Sequence, residues 1–168
     1  MTIVSPDEVT ELARGLADAQ VRYLVVGGLA VIANGHVRFT QDIDLVVDFD
    51  GANEQRCVEV LEALGFRPRA PVPLRAWTDP ALRQQWRDHK DMIAFSVWRE
   101  SRGMQQEIDL FLHHPFDFPA AYAGALWKRP APDAAPIPFV NRAVLIAMKR
   151  AAGRPQDLVD ALALEHLA

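Results

Sequence analysis

The stretch VVGGLAVIANGHVRFTQDIDLVV, residues 25–47, decides the fold, because a glycine pair ends one apolar run and two aspartates interrupt another. Glycine at the end of a strand allows the backbone to approach another group closely. A carboxylate within an otherwise apolar strand costs free energy unless something binds it. Both features are therefore interpreted as parts of one site.

The two aspartates lie in a segment that alternates between apolar and acidic residues. Residues 42–48 put Ile43 and Leu45 on one face and Asp42 and Asp44 on the other. This period of two is typical of a β-strand that is buried on one side only. The segment therefore predicts a strand that presents its carboxylates at a surface or a cleft.

Around this strand the chain alternates between strand and helix patterns, which predicts an α/β fold. Further strands are expected near residues 21, 92 and 106, and helices at 6–18 (capped by Ser5), 29–34, 50–64, 119–127, 141–152 and 155–167. We expect a mixed, twisted sheet of four strands, flanked by helices, with the last two helices forming a C-terminal pair that closes over the site.

Two segments lack a clear pattern. Residues 66–90 are rich in proline and arginine, which predicts a loop or an edge strand with a helical turn at 80–86. After Pro115 the strand pattern ends. Residues 1–115 are therefore predicted to form the core domain, with residues 116–168 as a helical segment packed on it in one compact unit.

Composition and charge exclude several classes of protein. The 168 residues have a formal net charge of -4, which argues against a broad basic surface for nucleic acid but allows a local patch. Cys57 is the only cysteine, so neither an internal disulfide nor a cysteine-based zinc site is expected. No segment has the length of a membrane span or the pattern of a signal peptide. We expect a cytoplasmic protein without a membrane partner.

The carboxylates of Asp42 and Asp44 project from one strand face, roughly 6 to 7 Å apart along the chain. A later alternating segment, residues 106–112, places Glu107 and Asp109 on the same kind of face. If the two strands are neighbours, Asp109 completes a cluster of three carboxylates. Mg²⁺ prefers such oxygen ligands together with substrate phosphates, and paired ions of this kind serve phosphoryl transfer.

The glycine pair supplies the other half of such a site. Gly27 and Gly28 lie where a strand ends and a helix begins, so their backbone N–H groups are free to donate hydrogen bonds to phosphate oxygens without an intervening side chain. A nucleoside triphosphate is therefore expected at the glycine pair, with its metal ions held by Asp42, Asp44 and Asp109.

The order VVGG, short helix, RFTQDIDLVV and later EIDLF resembles the polymerase-beta-like nucleotidyltransferase superfamily. The tail LIAMKR followed by GRPQDLVDAL resembles the C-terminal helices of small bacterial members, including the abortive-infection (type IV) nucleotidyltransferase toxins. The resemblance covers most of residues 20–165 and leaves 66–90 and 115–140 without a counterpart. It depends on the combination of motifs, because the glycine pair alone has little specificity.

The resemblance implies transfer of a nucleoside monophosphate from an NTP such as ATP to an acceptor hydroxyl, with Mg²⁺ or Mn²⁺ as cofactor. The acceptor would be a tRNA end, a protein side chain or a small molecule, and a cognate antitoxin would be a partner. The resemblance also implies catalytic and metal-binding roles for Asp42, Asp44 and Asp109. Lys149 would contact the triphosphate, with Asp157 following it. Many relatives have serine after the first glycine, so a hydroxyl contact to phosphate is not expected at Gly28.

Several features have simpler interpretations. Arg38 and Thr40 would contact a phosphate, or Arg38 would cover an apolar surface with its stem. Lys149 and Asp157 would bind the triphosphate or form a salt bridge between two helices. The arginines of residues 66–90 and the tryptophans would line an acceptor groove or belong to a solvated loop. The alternative to an enzyme is a noncatalytic module that binds nucleotide or a partner on the same fold.

Overall fold

A mixed β-sheet of seven strands lies at the centre of a computed structural model that describes residue 4 and residues 6–167. The strands are β1 Tyr23–Val26, β2 Ile43–Val47, β3 Arg67–Pro68, β4 Ala94–Ser101, β5 Met104–Phe111, β6 Leu126–Lys128 and β7 Ile137–Phe139. Across the sheet they lie in the order β3-β4-β5-β2-β1-β7-β6. The pairs β2–β5 and β1–β7 are parallel, and the other neighbours are antiparallel.

Helices flank the sheet, which confirms the α/β class. They are α1 Pro6–Asp18, α2 Gly27–Ala33, α3 Ala52–Ala63, α4 Pro80–Lys90, α5 Phe118–Ala123, α6 Arg142–Ala152 and α7 Pro155–Glu165, with a 3₁₀ helix at Leu74–Thr78. Within the described ranges, every helix is too short or too polar to cross a membrane. The predicted cap Ser5 lies outside the described residues.

The predicted number of strands was wrong, because three of the seven strands are too short to show a period of two. The prediction that the sheet ends at Pro115 missed β6 and β7, and Trp127, expected in a helix, lies in β6. The proline- and arginine-rich segment supplies β3, which pairs with β4 at Arg67 and Trp98. The helical turn expected at Pro80 continues to Lys90.

The carboxylates lie on one face of the sheet, opposite a face that is apolar at β2 and β5. Leu45 and Val47 of β2 and Ile108 and Leu110 of β5 are fully buried in the core. Because side chains alternate along a strand, Asp44 and Asp109 lie on the opposite face. The alternation that predicted β2 and β5 therefore also sets the position of the carboxylates.

The two last helices form the predicted C-terminal pair. Asn141 caps α6 by accepting a hydrogen bond from the backbone N–H of Val144, and Gly153 ends the helix in a left-handed conformation with φ of 67°. Pro155 then begins α7, where its missing N–H costs nothing. This tight connection places Lys149 on α6 opposite Asp157 on α7.

Candidate active site

Three carboxylates converge on one face of the sheet. The parallel pairing of β2 and β5 sets Asp44 directly opposite Asp109, which confirms the prediction that the two strands are neighbours. Asp42 immediately precedes β2, which begins at Ile43 rather than at Asp42. One oxygen from each of the three carboxylates lies within 4.8 Å of the other two. This spacing suits oxygen atoms that share a cation.

The three carboxylates of this triad repel one another. Removal from water, and then repulsion from Asp42 and Asp109, raises the pKa of Asp44 to about 7. Removal from water also raises the pKa of Asp109, while a hydrogen bond from Ser96 opposes the rise. Lys149 and Arg154 lower the pKa of Asp44 only in part. The triad therefore has negative charge that the surrounding residues do not neutralise.

The glycine pair lies against this triad. Gly27 has a φ of 64°, and a Cβ atom on it would lie 1.8 Å from Oδ2 of Asp44. A Cβ atom on Gly28 would lie 2.4 Å from Oγ1 of Thr40. A side chain at Gly27 would collide with Asp44, and one at Gly28 would collide with Thr40. Glycine is therefore required here for the strand end to reach the carboxylates.

Thr40, which the sequence analysis offered as a phosphate contact, places its hydroxyl beside Gly28. The sequence indicated only backbone at Gly28, but Oγ1 of Thr40 occupies the space beside it. This buried hydroxyl donates weakly, over 3.4 Å to the carbonyl oxygen and 3.5 Å to Oδ1 of Asp42. Both contacts are at the limit of hydrogen bonding, so the hydroxyl retains capacity to donate to another acceptor.

Replacement of Gly27 by alanine is expected to cost about 2 to 3 kcal/mol of unfolding free energy, through left-handed backbone strain and displacement of Asp44. Gly51→Ala is the matched control, because Gly51 has a φ of 79° and no atom within 4 Å of an added Cβ. Thermal unfolding of both variants measures the difference. Equal losses of stability in the two variants would contradict the close approach to Asp44.

An ionic cluster of five residues adjoins the triad. It consists of Arg38, Lys149, Arg154, Asp157 and Asp160. Nζ of Lys149 lies 2.8 Å from Asp157 and 3.0 Å from Asp160, which confirms the alternative of a salt bridge between α6 and α7. Nη1 of Arg38 donates to Asp160 over 2.6 Å, so Arg38 pairs with a carboxylate rather than only covering an apolar surface.

Arg154, Asp160 and Ser96 were missed by the sequence analysis. Arg154 precedes the proline that begins α7 and therefore resembled a linker residue, but it pairs with Asp157 over 2.6 Å. Its side chain is 77% exposed and lies within electrostatic range of Asp44 and Asp42, which help to raise its pKa after the larger effect of the Asp157 hydrogen bond. Asp160 follows Asp157 by one helical turn, a spacing that the sequence did contain.

Ser96 acts on the triad from the next strand. It pairs with Asp109 in the β4–β5 register, and its hydroxyl donates to Oδ1 over 2.5 Å. This bond fixes one oxygen of Asp109 and leaves Oδ2 available to another group. No motif in the sequence marks a serine in this position, because the signal depends on strand register.

The arginines of residues 66–90 divide between structural and exposed positions. Arg83 is buried, pairs with Glu54 over 2.6 Å and lies 4.0 Å from the ring centre of Phe49. Its role is therefore structural, and the segment is not simply a solvated loop. Arg67 and Arg69 are exposed beside Trp98 on the face that carries the triad.

Sequence comparison finds no family model and no curated protein that matches this chain. Structural comparison finds several similar folds. The lincosamide antibiotic adenylyltransferase LnuA, bound to lincomycin, matches with a TM-score of 0.57 and 14% identity over 99% of this chain and 100% of that chain. An antigenic nucleotidyltransferase-like protein from Paracoccidioides brasiliensis matches with 0.59 and 15% identity, over 95% and 74% of the two chains.

A third similar structure is ANT(2″)-Ia in complex with adenylyl-2″-tobramycin, with a TM-score of 0.55 and 14% identity over 95% of this chain and 86% of that chain. Likeness at this level of identity concerns the fold and extends over nearly the whole chain. The mixed sheet, the flanking helices and these matches together show that the chain has a nucleotidyltransferase fold.

Proposed function

We propose that this protein transfers a nucleoside monophosphate from an NTP to an acceptor hydroxyl. The observation that supports the proposal is the alignment of the glycine pair, Asp44 and Asp109 across three adjacent strands. β1 ends at Val26, which pairs with Asp44, and Asp44 pairs with Asp109. Phosphate-binding backbone and metal-binding carboxylates would thus be adjacent, as nucleotidyl transfer requires.

The residues of the triad fit a divalent cation. Three carboxylates offer hard oxygen ligands within 4.8 Å of one another, and their mutual repulsion would be relieved by positive charge between them. Asp42, Asp44 and Asp109 would hold Mg²⁺ or Mn²⁺. A bound divalent ion would stabilise negative charge on the reacting phosphate and lower the pKa of the attacking hydroxyl.

The chain's own groups would bind and orient the triphosphate. The backbone N–H groups of Gly27 and Gly28 and the hydroxyl of Thr40 would donate to phosphate oxygens. Arg154 is exposed and is held by Asp157 within electrostatic range of Asp44 and Asp42, so its guanidinium would attract the phosphates. Lys149 is 7% exposed and already bound by two carboxylates, so it would act at longer range.

The acceptor O–H would be the nucleophile in this transfer. Its oxygen forms a bond to the α-phosphorus while the bond from that phosphorus to the bridging oxygen breaks, so pyrophosphate leaves. The acceptor proton passes to Oδ2 of Asp109, which has no hydrogen-bond donor among the described residues, whereas Oδ1 accepts from Ser96.

The first test is incubation of purified protein with Mg²⁺, a host lysate and each α-³²P-labelled NTP in turn, beginning with ATP. We expect label on an acceptor with the wild type and none with Asp42→Ala/Asp44→Ala or with excess chelator. Equal labelling by the double variant would refute the proposal. Nucleotide binding by calorimetry without transfer would favour the noncatalytic module.

The resemblance to abortive-infection toxins adds a cellular proposal. In that case the protein would act in the cytoplasm, modify an essential acceptor, and be held inactive by a cognate antitoxin. The same Asp42→Ala/Asp44→Ala variant provides the control, because growth arrest on induction should require the carboxylates. Arrest that persists with the double variant would contradict a toxin role based on nucleotidyl transfer.

A further inference from the structure

The carboxylate face of the sheet continues beyond Asp109 to the edge strand. In the β4–β5 register, Ser96 lies opposite Asp109 and Trp98 lies opposite Glu107. Arg67 of β3 lies opposite Trp98, and the N–H of Arg69 donates to the carbonyl oxygen of Ser96. Paired residues share a face of the sheet. We refer to Arg67, Arg69, Ser96, Trp98 and Glu107 as the acceptor strip.

An aromatic ring and a surplus cation mark this strip. Trp98 is half-buried, with the guanidinium carbon of Arg67 4.2 Å and that of Arg69 5.0 Å from the ring centre. Arg69 is neutralised by Glu107, which accepts over 2.6 Å. Arg67 is exposed and forms no ion pair with any described residue. Arg67 therefore covers part of the ring, and the strip presents a stacked Arg67–Trp98 pair with one unneutralised positive charge.

The position of the strip fits the acceptor side of the reaction. In-line displacement places the attacking oxygen opposite the leaving pyrophosphate. With the phosphates at the glycine pair beside β1, the attack comes from the opposite side of the triad, where β4 and β3 lie. Trp98 and Asp109 are diagonal neighbours on an antiparallel pair, about 7 to 8 Å apart. An acceptor stacked on the Arg67–Trp98 pair thus reaches Asp109, the proposed general base.

We propose that the acceptor strip binds a nucleotide, with its base stacked on the Arg67–Trp98 pair and a phosphate on the N–H edge of Arg67, and presents a ribose hydroxyl to Asp109. The proposal rests on the proposed function. The ribose O–H forms the new bond to the α-phosphorus, its proton passes to Asp109, and the bond to pyrophosphate breaks. A polycationic acceptor is disfavoured, because the unneutralised charge of Arg67 would repel it. The nucleotide belongs either to an RNA 3′ end or to a free molecule.

Binding of a fluorescent hexaribonucleotide, followed by anisotropy, tests the strip without requiring turnover. Trp98→Ala is expected to weaken binding about 10- to 100-fold, the range for loss of one stacked base, and Trp98→Phe to restore most of it. Arg67→Gln is expected to weaken binding several-fold and to reduce its dependence on salt. Trp127→Ala is the matched control, because Trp127 is 48% exposed on β6 at the other edge of the sheet.

Two further measurements separate the possible failures. The affinity for NTP, measured by calorimetry, should be unchanged in Trp98→Ala, and its thermal unfolding reports whether the variant folds. Equal hexanucleotide affinity in the Trp98→Ala and Trp127→Ala variants would overturn the strip, as would tighter binding of a polycationic amino sugar. Retained transfer in Asp42→Ala/Asp44→Ala would instead overturn the proposed function, whatever Trp98 does.

Blocking and competition experiments distinguish an RNA 3′ end from a free nucleotide as the acceptor. If the acceptor is an RNA end, a 3′-phosphate on the oligonucleotide should abolish labelling while binding persists. If it is a free nucleotide, AMP should compete for the strip and itself accept the label. Either result supports binding of an acceptor nucleotide at Trp98. Labelling of a protein or an amino sugar, unaffected by Trp98→Ala, would overturn it.

Discussion

Asp44→Asn is expected to lower kcat/KM for nucleotidyl transfer by about a thousandfold, the scale associated with loss of one electrostatic contact to the reacting group. The amide preserves the size of the side chain but removes the charge that a divalent ion would require. Asp44 is the central carboxylate, paired with Asp109 in the sheet and touched by Gly27. Steady-state kinetics at saturating Mg²⁺ measure the loss. A loss below tenfold would contradict a metal-binding role.

The same substitution is expected to stabilise the metal-free protein. The folded-state pKa of Asp44 is raised from 3.8 to about 7, so its ionisation opposes folding. In the wild type, Asp44 therefore lowers stability progressively as the pH rises from about 4 to about 7, and its full penalty is present above pH 7. Asparagine lacks this penalty, so Asp44→Asn should gain about 2 to 4 kcal/mol at pH 8 and little at pH 4.

Thermal unfolding at several pH values, with and without Mg²⁺, checks the direction of the stability change and of the Mg²⁺ effect. Mg²⁺ should raise the Tm of the wild type at pH 8 and leave that of Asp44→Asn nearly unchanged, because ligand binding stabilises only the state that binds it. Asp88→Asn, at an exposed position on α4, is the control and should behave as the wild type. A stability gain of Asp44→Asn over the wild type that is no larger at pH 8 than at pH 4 would contradict the unfavourable ionisation of Asp44.

The parts of the site that follow from strand periodicity were predictable from the sequence. Alternation at residues 42–48 and 106–112 indicated which carboxylates share a face, and parallel pairing then brought Asp44 to Asp109. The glycine pair was recognisable because its position after an apolar run requires close approach. These signals are local, and each depends on fewer than ten consecutive residues.

The features that were missed depend on contacts between distant parts of the chain. β6 and β7 have three residues each, and β7 joins the sheet through Val25 and Phe139, far apart in sequence. A run of three residues has too few positions to distinguish a strand from a loop. Similarly, Arg38 and Asp160 are separated by 122 residues. No pattern in either segment indicates the other, so the ionic cluster required the structure.

Asp160→Ala is expected to destabilise the protein by about 3 kcal/mol, because removal of one partner from a buried ion pair leaves its counterion without compensation. Asp160 is completely buried and accepts from Lys149, Arg38 and Gln156. Lys149 retains Asp157, whereas Arg38 loses its carboxylate partner. Glu165→Ala breaks an exposed pair with Arg150 and should cost less than about 1 kcal/mol. Urea unfolding measures both variants.

A double-mutant cycle tests whether Asp160 stabilises the protein through its ion pair with Arg38 or through general packing. Arg38→Ala combined with Asp160→Ala should show a coupling of about 1 to 3 kcal/mol, because the second substitution removes an interaction already lost. Additive losses would contradict a specific interaction between Arg38 and Asp160. The ionic cluster has three cations and two carboxylates, so it contributes a net charge of +1 beside the triad. If Asp160 holds the loop of Arg38 and Thr40 against α7, Asp160→Ala should also raise KM for NTP more than it lowers kcat.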